Sequence, residues 1–347
     1  MRSTAVFSRA TSRKIISGWT ERPRRSRGGH VSRFTHQPNV TAELHRFHTV
    51  FLSWCRVDAY LSTVPELPEV EVLVRNLGPL LKNKTVRGVQ VLRPRVLAPT
   101  SARRLAKALI GGRFTALSRR GKYLLFTLES GMQPAPLLLV GHLGMTGRMY
   151  LQSEGMALPK HAAVVLELGR ESFVFEDPRG FGRITLDTRA IEKLGPEALG
   201  KEFTVGYFAQ ALARSSQSVK IKLLDQCLVA GIGNIYASEA LFRAGISPRL
   251  AARRLNQEQI VRLWGAIREV LAEAIEWGST VRLHYPGTSK LERLRHLGGA
   301  AGPGDFSTDW LKVYEHAGRP CPRCGSVIKR LVQAGRSTYH CPACQRR

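Results

Sequence analysis

Pro-Glu-Leu-Pro-Glu-Val-Glu, residues 65–71, begins a predicted amphipathic helix over Glu66–Leu81. Prolines suit a first helical turn because its N–H groups have no partner inside the helix. Carboxylates suit the same turn because the helix dipole is positive there. The apolar residues that recur at helical spacing are Leu67, Val70, Leu73, Val74, Leu77 and Leu81. The stretch therefore predicts a leading helix in front of the β-rich segments that follow.

Short β-type runs follow this helix, separated by turns rich in Gly, Pro and charged residues, which is the spacing of a β-sandwich. After Pro196 the pattern changes to helical periods. The predicted fold class is therefore α+β. The predicted strands are Val86–Leu92, Arg113–Leu117, Tyr123–Leu128, Leu137–Leu143, Ala163–Leu168, Ser172–Glu176 and Arg183–Leu186, and the further helices are Ala102–Ile110, Val205–Ala213, Lys220–Val229, Ile235–Ala244 and Gln257–Trp277.

The charge balance indicates a polyanionic partner. The chain of 347 residues has a formal net charge of +27. Residues 65–347 are basic on their own, with 42 Lys and Arg against 23 Asp and Glu. The simplest polyanion for such a chain is nucleic acid. The sequence has no apolar run of about 18 residues, so it predicts no membrane-spanning helix.

Residues 1–64 are rich in Arg, Ser, Thr and His, poor in acids, and without a sustained helical or strand period. The run 22–29, Arg-Pro-Arg-Arg-Ser-Arg-Gly-Gly, is typical of disorder, and organelle transit peptides have a similar composition. We favour a third interpretation, a translation start assigned too early. Val64 precedes Pro65, and GTG is both a valine codon and a common bacterial start codon. We therefore expect a disordered leader that is absent from the functional protein.

Four of the six cysteines form two Cys-x2-Cys pairs near the C-terminus, separated by sixteen residues. Two such pairs at this spacing favour a zinc ribbon over a redox pair, which would need only one copy. Because all four ligands come from the protein, the expected zinc ion is structural. This cysteine usage also favours a reducing compartment. The predicted ligands of one Zn²⁺ are Cys321, Cys324, Cys341 and Cys344.

Several segments together resemble the formamidopyrimidine-DNA glycosylase family, from Pro65 to the C-terminus. The segments are 65–71, 119–125 (Arg-Arg-Gly-Lys-Tyr-Leu-Leu), 141–147 (Gly-His-Leu-Gly-Met-Thr-Gly), 177–182 (Asp-Pro-Arg-Gly-Phe-Gly), 225–239 (Asp-Gln-Cys-Leu-Val-Ala-Gly-Ile-Gly-Asn-Ile-Tyr-Ala-Ser-Glu) and the cysteine segment. The resemblance implies a β-sandwich catalytic domain, a helix–two-turn–helix DNA-binding domain and a zinc-ribbon hairpin. The implied regions are the leader 1–64, the catalytic domain 65–190, the helical domain 196–310 with a mobile loop 282–308, and the zinc finger 312–347.

The resemblance also implies catalytic residues. Inside a chain the nitrogen of Pro65 is an amide and no nucleophile, but as a free terminus it would be a secondary amine able to form a Schiff base. Pro65 is then expected to attack C1′ of the damaged nucleotide, while Glu66 protonates the sugar ring oxygen. Glu69, one helical turn on, is expected to orient the site. For Lys122 the resemblance implies a phosphate contact and proton donation in β-elimination, and for Arg336 a grip on phosphates linked to δ-elimination.

DNA contacts are implied in the same way. Extruding a nucleotide from a duplex costs stacking and pairing energy, part of which inserted side chains recover. Met145 is expected to fill the gap, Arg179 to face the orphaned cytosine, and Phe181 to wedge between base steps. The chain departs from the family at Ala163, where a second histidine is common. The other implied DNA contacts are His142, His161, Lys220 and Asn234.

These implications predict a bifunctional DNA glycosylase and AP lyase of base excision repair. Its expected substrates are 8-oxoguanine and formamidopyrimidines in double-stranded DNA, and zinc is its only expected cofactor. We expect a monomer in the bacterial cytoplasm, associated with the nucleoid through DNA. Two alternatives stay open. One is an endonuclease VIII-like glycosylase for oxidised pyrimidines, which is disfavoured by the pair Leu67 and Pro68, by Met145, and by the pair Arg179 and Phe181. The other is a catalytically inactive zinc-containing DNA-binding protein, if the leader is retained.

Overall fold

Helix α1 (Leu67–Leu81) begins two residues after Pro65 and follows the predicted bounds closely. The computed structural model describes residues 65–129, 135–278 and 310–346. The predictions for the leader 1–64 and for the loop 282–308 therefore lie outside the described residues. The first turn of α1 carries Pro68 and Glu69, as the sequence pattern predicts.

Two four-stranded antiparallel sheets form a β-sandwich behind this helix. One sheet has its strands in the order Gly88–Val91, Ala162–Glu167, Glu171–Glu176 and Arg148–Ser153, and the other in the order Arg113–Arg120, Tyr123–Glu129, Leu137–His142 and Arg183–Thr185. Phe126 and Phe173 meet edge to face between the sheets, with ring centroids 5.5 Å apart. The predicted α+β fold class is confirmed. The elements are β1 (Gly88–Val91), α2 (Ala102–Leu109), β2 (Arg113–Arg120), β3 (Tyr123–Glu129), β4 (Leu137–His142), β5 (Arg148–Ser153), β6 (Ala162–Glu167), β7 (Glu171–Glu176) and β8 (Arg183–Thr185).

Strand β5 is absent from the sequence prediction. Its four central residues, 149–152, are all buried, so the strand lacks the alternation of buried and exposed positions that identifies a strand in a sequence. Met149 packs into the sandwich core, whereas Tyr150 belongs to a small separate cluster with Val165 and Val174. Burial on both faces therefore removed the signal.

Helices form the second part of the chain, but the predicted helix Lys220–Val229 is wrong beyond Leu223. The side chain of Gln226 donates to the carbonyls of Leu224 and Ile232, and its oxygen accepts from the N–H of Gly231. Such side-chain bonds compete with helical ones. No helix in the described part of the chain is long and apolar enough to cross a membrane. The helices are α3 (Arg189–Glu192), α4 (Val205–Ala213), α5 (Val219–Leu223), α6 (Asn234–Ala244) and α7 (Gln257–Glu276).

Helix α1 joins the two hydrophobic cores. Val70, Leu73 and Leu77 pack in the core of the sandwich. Leu67, one turn earlier on the same helix, packs instead in the core formed by the helices. The N–H of Leu67 also donates to the carbonyl of Gly231 at 3.0 Å. The first turn of α1 is therefore anchored in the helical part of the chain, and the rest of α1 in the sandwich.

A network of charges holds the β2–β3 turn against the segment before α4. Glu197 accepts hydrogen bonds from Arg119 at 2.5 Å, from Arg120 at 2.9 Å and from the N–H of Gly121 at 2.6 Å. Arg119 also donates to Glu71 of α1 at 2.9 Å. One carboxylate thus fixes the turn that carries Lys122.

The C-terminal segment contains a hairpin of β9 (Lys329–Gln333) and β10 (Arg336–His340), and the residues before this hairpin dock on the C-terminal end of α6. Arg323, between the first two predicted zinc ligands, donates to the carbonyls of Phe242 and Arg243 at 3.1 and 3.0 Å. The last carbonyls of a helix have no partner inside it, so this guanidinium satisfies them. It also lies 4.6 Å from the centroid of the Phe242 ring, a cation–π distance.

Candidate active site

The carboxyl group of Glu66 is buried at the start of helix α6. Its Oε1 accepts from the N–H of Ile235 at 2.8 Å and its Oε2 from that of Tyr236 at 3.4 Å. These N–H groups are free to donate because the first turn of a helix leaves them without partners. Burial raises the pKa of Glu66 to about 7, opposed by the nearby charge of Lys122 and by the two N–H groups, while Glu69 adds to the rise. Glu66 can therefore hold a proton near neutral pH.

Glu69 braces this arrangement from the first turn of α1. Its Oε2 accepts from the N–H of Glu66 at 2.9 Å, and its Oε1 accepts from the hydroxyl of Tyr236 at 2.6 Å. Tyr236 is fully buried in the helical core. The carboxylate of Glu69 therefore links the residue after Pro65 to a rigid part of helix α6.

Two glycines allow the first turn of α1 to lie this close. A Cβ at Gly233 would overlap the carboxyl carbon of Glu66, and a Cβ at Gly231 would overlap the side chain of Leu67. Gly231 also has a φ of +102°, which L side chains rarely adopt. The Gly-Ile-Gly sequence of residues 231–233 is thus required by contact with the residues at the start of α1.

Lys122 and Arg336 complete the group around Glu66. Lys122 stands in the β2–β3 turn and Arg336 is the exposed first residue of β10. Burial lowers the pKa of Lys122. The carboxylates of Glu66 and Glu69 oppose this shift, and the charge of Arg336 adds to it. The structure therefore brings together the predicted catalytic residues of α1, the sandwich and the hairpin within electrostatic range of one another.

Lys220 and Asn234 tie the hairpin to the helices. The ammonium of Lys220, which is fully buried, donates to Asn234 at 2.5 Å, to the carbonyl of Ser337 at 3.0 Å and to the hydroxyl of Thr338 at 2.7 Å. All three ammonium hydrogens thus have partners. Burial lowers the pKa of Lys220 to about 8. Asn234 donates to the same Ser337 carbonyl at 2.9 Å. The two residues therefore position the strand that begins with Arg336.

Asp177 organises the two glycine-rich loops of the sandwich. Its buried carboxylate accepts from the hydroxyl of Thr146 at 2.6 Å and from the N–H groups of Arg179 and Gly182 at 3.2 and 2.7 Å. Thr146 belongs to the segment 141–147, and the other two donors belong to 177–182. One buried carboxylate therefore holds together the loops that carry the predicted base-contacting residues.

The predicted wedge residues project from these loops. Phe181 is 49% exposed, and the guanidinium of Arg179 lies 5.0 Å from its ring centroid. Met145 is partly buried in the neighbouring loop. A Cβ at Gly144 would lie 2.6 Å from the nitrogen of Gly182, so the loops touch. The structure thus brings Met145, Arg179 and Phe181 to one edge of the sandwich.

Two histidines lie on the same sandwich. Nδ1 of His142 accepts from the N–H of Gly144 at 3.0 Å, which leaves the ring proton on Nε2. Burial lowers the pKa of His142 to about 4, with Lys122 acting in the same direction. His161 is partly exposed just before β6. Ala163 is buried in the sandwich core, so this chain presents one histidine where the family often has two.

The sulfur atoms of Cys321, Cys324, Cys341 and Cys344 lie within 4.8 Å of one another. Three of the separations are 3.9, 3.5 and 3.4 Å. Tetrahedral zinc with Zn–S bonds of about 2.3 Å requires sulfur atoms roughly 3.8 Å apart. The N–H of Arg323 also lies 3.4 Å from the sulfur of Cys321, where it can stabilise a thiolate. The four residues therefore fit one structural zinc ion.

The sequence analysis assigned no role to Glu239, which lies in α6. Its buried carboxylate accepts from the N–H groups of Lys312, Val313 and Tyr314 at 2.9, 2.9 and 2.8 Å. Burial raises the pKa of Glu239, and the three hydrogen bonds oppose part of this rise. The hydroxyl of Tyr314 accepts from Asn234 at 3.4 Å. The sequence carries no signal for this role, because the three N–H donors lie more than 70 residues further along the chain.

Family models match three parts of the chain. Residues 64–184 match the formamidopyrimidine-DNA glycosylase N-terminal domain, and residues 194–284 match the formamidopyrimidine-DNA glycosylase H2TH domain. Residues 318–347 match the zinc finger found in FPG and IleRS.

Curated relatives are similar over most of the chain. A formamidopyrimidine-DNA glycosylase of Desulfitobacterium hafniense is 39% identical over 289 residues, covering 81% of this chain and 100% of the relative. One of Thermus thermophilus is 43% identical over 289 residues, covering 81% of this chain and 98% of the relative.

Solved structures are similar as well. A Lactococcus lactis Fpg variant bound to Fapy-dG-containing DNA gives a TM-score of 0.70 at 31% identity, covering 82% of this chain and 100% of the other. The wild-type Lactococcus lactis protein bound to DNA with an oxidised pyrimidine gives a TM-score of 0.70 at 31% identity, with the same coverage. A MutM complex with carbocyclic 8-oxo-G-containing DNA gives a TM-score of 0.70 at 32% identity, again covering 82% and 100%.

Gly233→Ala is expected to destabilise the protein by about 1–3 kcal/mol, because the new methyl group displaces the carboxyl of Glu66. The matched control is Gly265→Ala in α7, where the nearest atom to a new Cβ is 3.9 Å away. That change should stabilise the helix by about 0.5–1 kcal/mol. Urea unfolding measures both variants. Equal stability changes of the same sign would show that the contact between Gly233 and Glu66 does not exist.

Cys324→Ser is expected to lose the zinc ion, since a site with four cysteine ligands contributes roughly 10–16 kcal/mol of binding energy in zinc-finger peptides. Elemental analysis of the purified protein measures the zinc content. Cys227→Ser is the control, because this exposed cysteine lies outside the sulfur cluster and should retain one zinc per chain. Stoichiometric zinc in the Cys324→Ser variant would contradict the assignment.

Proposed function

The chain belongs to the formamidopyrimidine-DNA glycosylase family, and from that membership we propose a bifunctional DNA glycosylase and AP lyase that excises oxidised purines from duplex DNA. The nitrogen of Pro65 attacks C1′ and the damaged base leaves. The sugar ring opens to a Schiff base on Pro65. Loss of the 3′ phosphate by β-elimination and of the 5′ phosphate by δ-elimination then cuts the strand on both sides of the sugar.

The raised pKa of the Glu66 carboxyl is the observation that most strongly supports this proposal. A general acid works best when its pKa lies near the operating pH, and burial raises the pKa of Glu66 to about 7. The protonated carboxyl directly follows the proline that would act as nucleophile, so it can protonate the ring oxygen as C1′ is attacked. Glu69 keeps this carboxyl in place through its bonds to the N–H of Glu66 and to Tyr236.

A free terminus at Pro65 is part of the proposal, because an amide nitrogen cannot act as the nucleophile. Two similarities support it. The match to the N-terminal family domain begins at residue 64. The relative from Desulfitobacterium hafniense is matched over its full length by 81% of this chain. We therefore propose that the active form begins at Pro65.

Lys122 and Arg336 serve the elimination steps. Burial lowers the pKa of Lys122 and brings it closer to neutrality, where an ammonium donates a proton more readily. Arg336, exposed at the start of β10, grips the phosphates beside the lesion with a planar set of N–H donors. Lys220 and Asn234 add positive charge and amide dipoles at this phosphate site while they hold β10 in place.

The loops held by Asp177 keep the damaged nucleotide extruded. Met145 fills the space that it leaves, Arg179 faces the orphaned cytosine, and Phe181 enters the base stack. Exposure of the Phe181 ring supports this role, because an exposed apolar side chain at a basic surface can recover stacking energy. His142 and His161 contribute contacts to the phosphate backbone, which position the protein without reading sequence.

Oxidised purines are the proposed substrate class, and the endonuclease VIII-like preference for oxidised pyrimidines is the alternative. Met145 and the pair Arg179 and Phe181 favour purines. The complex of the Lactococcus lactis relative with oxidised-pyrimidine DNA shows that a family member can also hold a pyrimidine lesion. We further propose that the enzyme is a monomer, because a single chain supplies every group described here. Its proposed compartment is the bacterial cytoplasm, where the chromosome lies.

Borohydride trapping tests this function. A chain that begins with Met-Pro65, from which the methionine has been removed, should form a covalent adduct with duplex DNA containing 8-oxoguanine. The matched control carries two extra residues before Pro65 and should trap far less, because its proline nitrogen is an amide. A duplex with an oxidised pyrimidine should give the slower trapping. Efficient trapping by the intact 347-residue chain, with the leader shown to be uncut, would contradict the proposed nucleophile and make Lys122 the first candidate.

A further inference from the structure

Arg93, which precedes the short 3-10 helix Pro94–Leu97, joins the segment of Lys160 and His161 to the loop that begins at Asp177. Its guanidinium donates to the carbonyl of Asp177 at 3.0 Å and to that of Lys160 at 3.3 Å. A third hydrogen bond joins its Nη2 to Nδ1 of His161 at 2.9 Å. No sequence motif singled out Arg93, yet it joins the His161 segment to the loop of the wedge residues.

The contact with Arg93 determines where the His161 ring carries its proton. A guanidinium has only N–H donors and keeps its charge in proteins, so it cannot accept a hydrogen bond. Nδ1 of His161 must therefore offer a lone pair, and the proton of the neutral ring lies on Nε2. Nε2 has no hydrogen-bond partner among residues 65–129, 135–278 and 310–346. The ring is partly exposed, so this N–H is available to a ligand.

His142 reaches the same tautomer by a different donor. There the backbone N–H of Gly144 donates to Nδ1 at 3.0 Å, which again leaves the proton on Nε2. The chain thus sets two imidazoles on the same sandwich in the form that donates from Nε2. Phosphate oxygens accept hydrogen bonds from side-chain and backbone N–H groups. An imidazole with its proton on Nδ1 would instead present a lone pair to the phosphate and repel it.

We propose that Arg93 is a positioning residue that fixes the tautomer of His161, so that Nε2–H donates to a phosphate of the bound DNA. The inference rests on the proposed function, in which His161 contacts DNA. Arg93 itself needs no contact with DNA for this role. Ala163 stands where the family often has a second histidine. The phosphate contact at this place therefore depends on the His161 ring alone, and no second imidazole can donate if that ring has its proton on the wrong nitrogen.

Nitrogen NMR tests the tautomer in the free protein. At a pH where the ring is neutral, long-range correlations between the ring protons and the two nitrogens of His161 should identify Nε2 as the protonated atom. In Arg93→Ala the same signals should shift toward a mixture of the two tautomers. His142 is an internal reference whose pattern should not change, since its donor is a backbone N–H. A wild-type ring protonated on Nδ1 would overturn the proposal.

A double-mutant cycle tests the action on DNA. The probe is duplex DNA with a tetrahydrofuran abasic analogue, and the readout is the dissociation constant at one fixed salt concentration. Arg93→Ala should weaken binding by about twofold, because a ring that carries its proton on Nε2 only half of the time offers the donor in half of the molecules. In a His161→Ala background the same change should have almost no further effect. His161→Gln, whose amide can donate near the position of Nε2, should make binding independent of Arg93.

Two outcomes of the cycle contradict the proposal. An equal loss from Arg93→Ala in both backgrounds would mean that Arg93 acts through the Asp177 loop instead. Unchanged binding by His161→Ala would show that the ring makes no phosphate contact. Borohydride trapping by the wild-type chain reports the proposed function separately, so loss of the His161 contact and loss of the glycosylase assignment are distinguishable.

Discussion

The hydrogen bonds from the start of helix α6 to the carboxyl of Glu66 are the constraint on which the rest of the site depends. They require the first turn of α1 to leave the sandwich and enter the helical part of the chain, where Leu67 is buried. They also require glycine at position 233, because any side chain there would occupy the space of the carboxyl. The carboxyl of Glu66 is thus held by a contact between two cores.

Charged side chains surround the contact between Glu66 and helix α6. Glu66 and Glu69 lie among cations supplied by the β2–β3 turn, by α5 and by the hairpin, and electrostatic coupling extends from Lys122 to Arg336. Burial disfavours the charged form of an acid and of a base alike. It therefore raises the pKa of Glu66 and lowers those of Lys122 and Lys220. Each shift brings a pKa nearer to neutrality, which suits proton transfer in both directions.

Local patterns predicted much of this structure. Helix α1 and most strands follow from the period of their apolar residues, and the four cysteine ligands follow from their spacing. Strand β5 was missed because burial of its central residues 149–152 removed the alternation. The helix predicted to Val229 ends at Leu223 because the side chain of Gln226 binds the backbone of the turn. The competition from Gln226 is local to residues 224–232, whereas burial of β5 on both faces is a tertiary effect that no window of sequence contains.

The roles of Arg93, Glu197 and Glu239 could not be read from the sequence for the same reason. Each binds residues more than 60 positions away in the chain, as in the pairs of Arg93 with His161 and of Glu239 with Val313. The family resemblance supplied the groups that are proposed to react, and the structure adds the groups that hold them. An isolated Arg or Glu gives no sequence signal when its partners are backbone atoms of distant segments.

The titration of Glu66 tests the central claim most directly. Carbon NMR of the side-chain carboxyl, assigned by the signal missing from Glu66→Gln, should give a pKa of about 7 instead of the ordinary 4.5. A folded-state pKa above the unfolded one also means that this group should lower stability as the pH rises from 4.5 through 7. A Glu66 carboxyl that titrates near 4.5 in the folded enzyme would contradict the account, because no proton would then be held at the site at neutral pH.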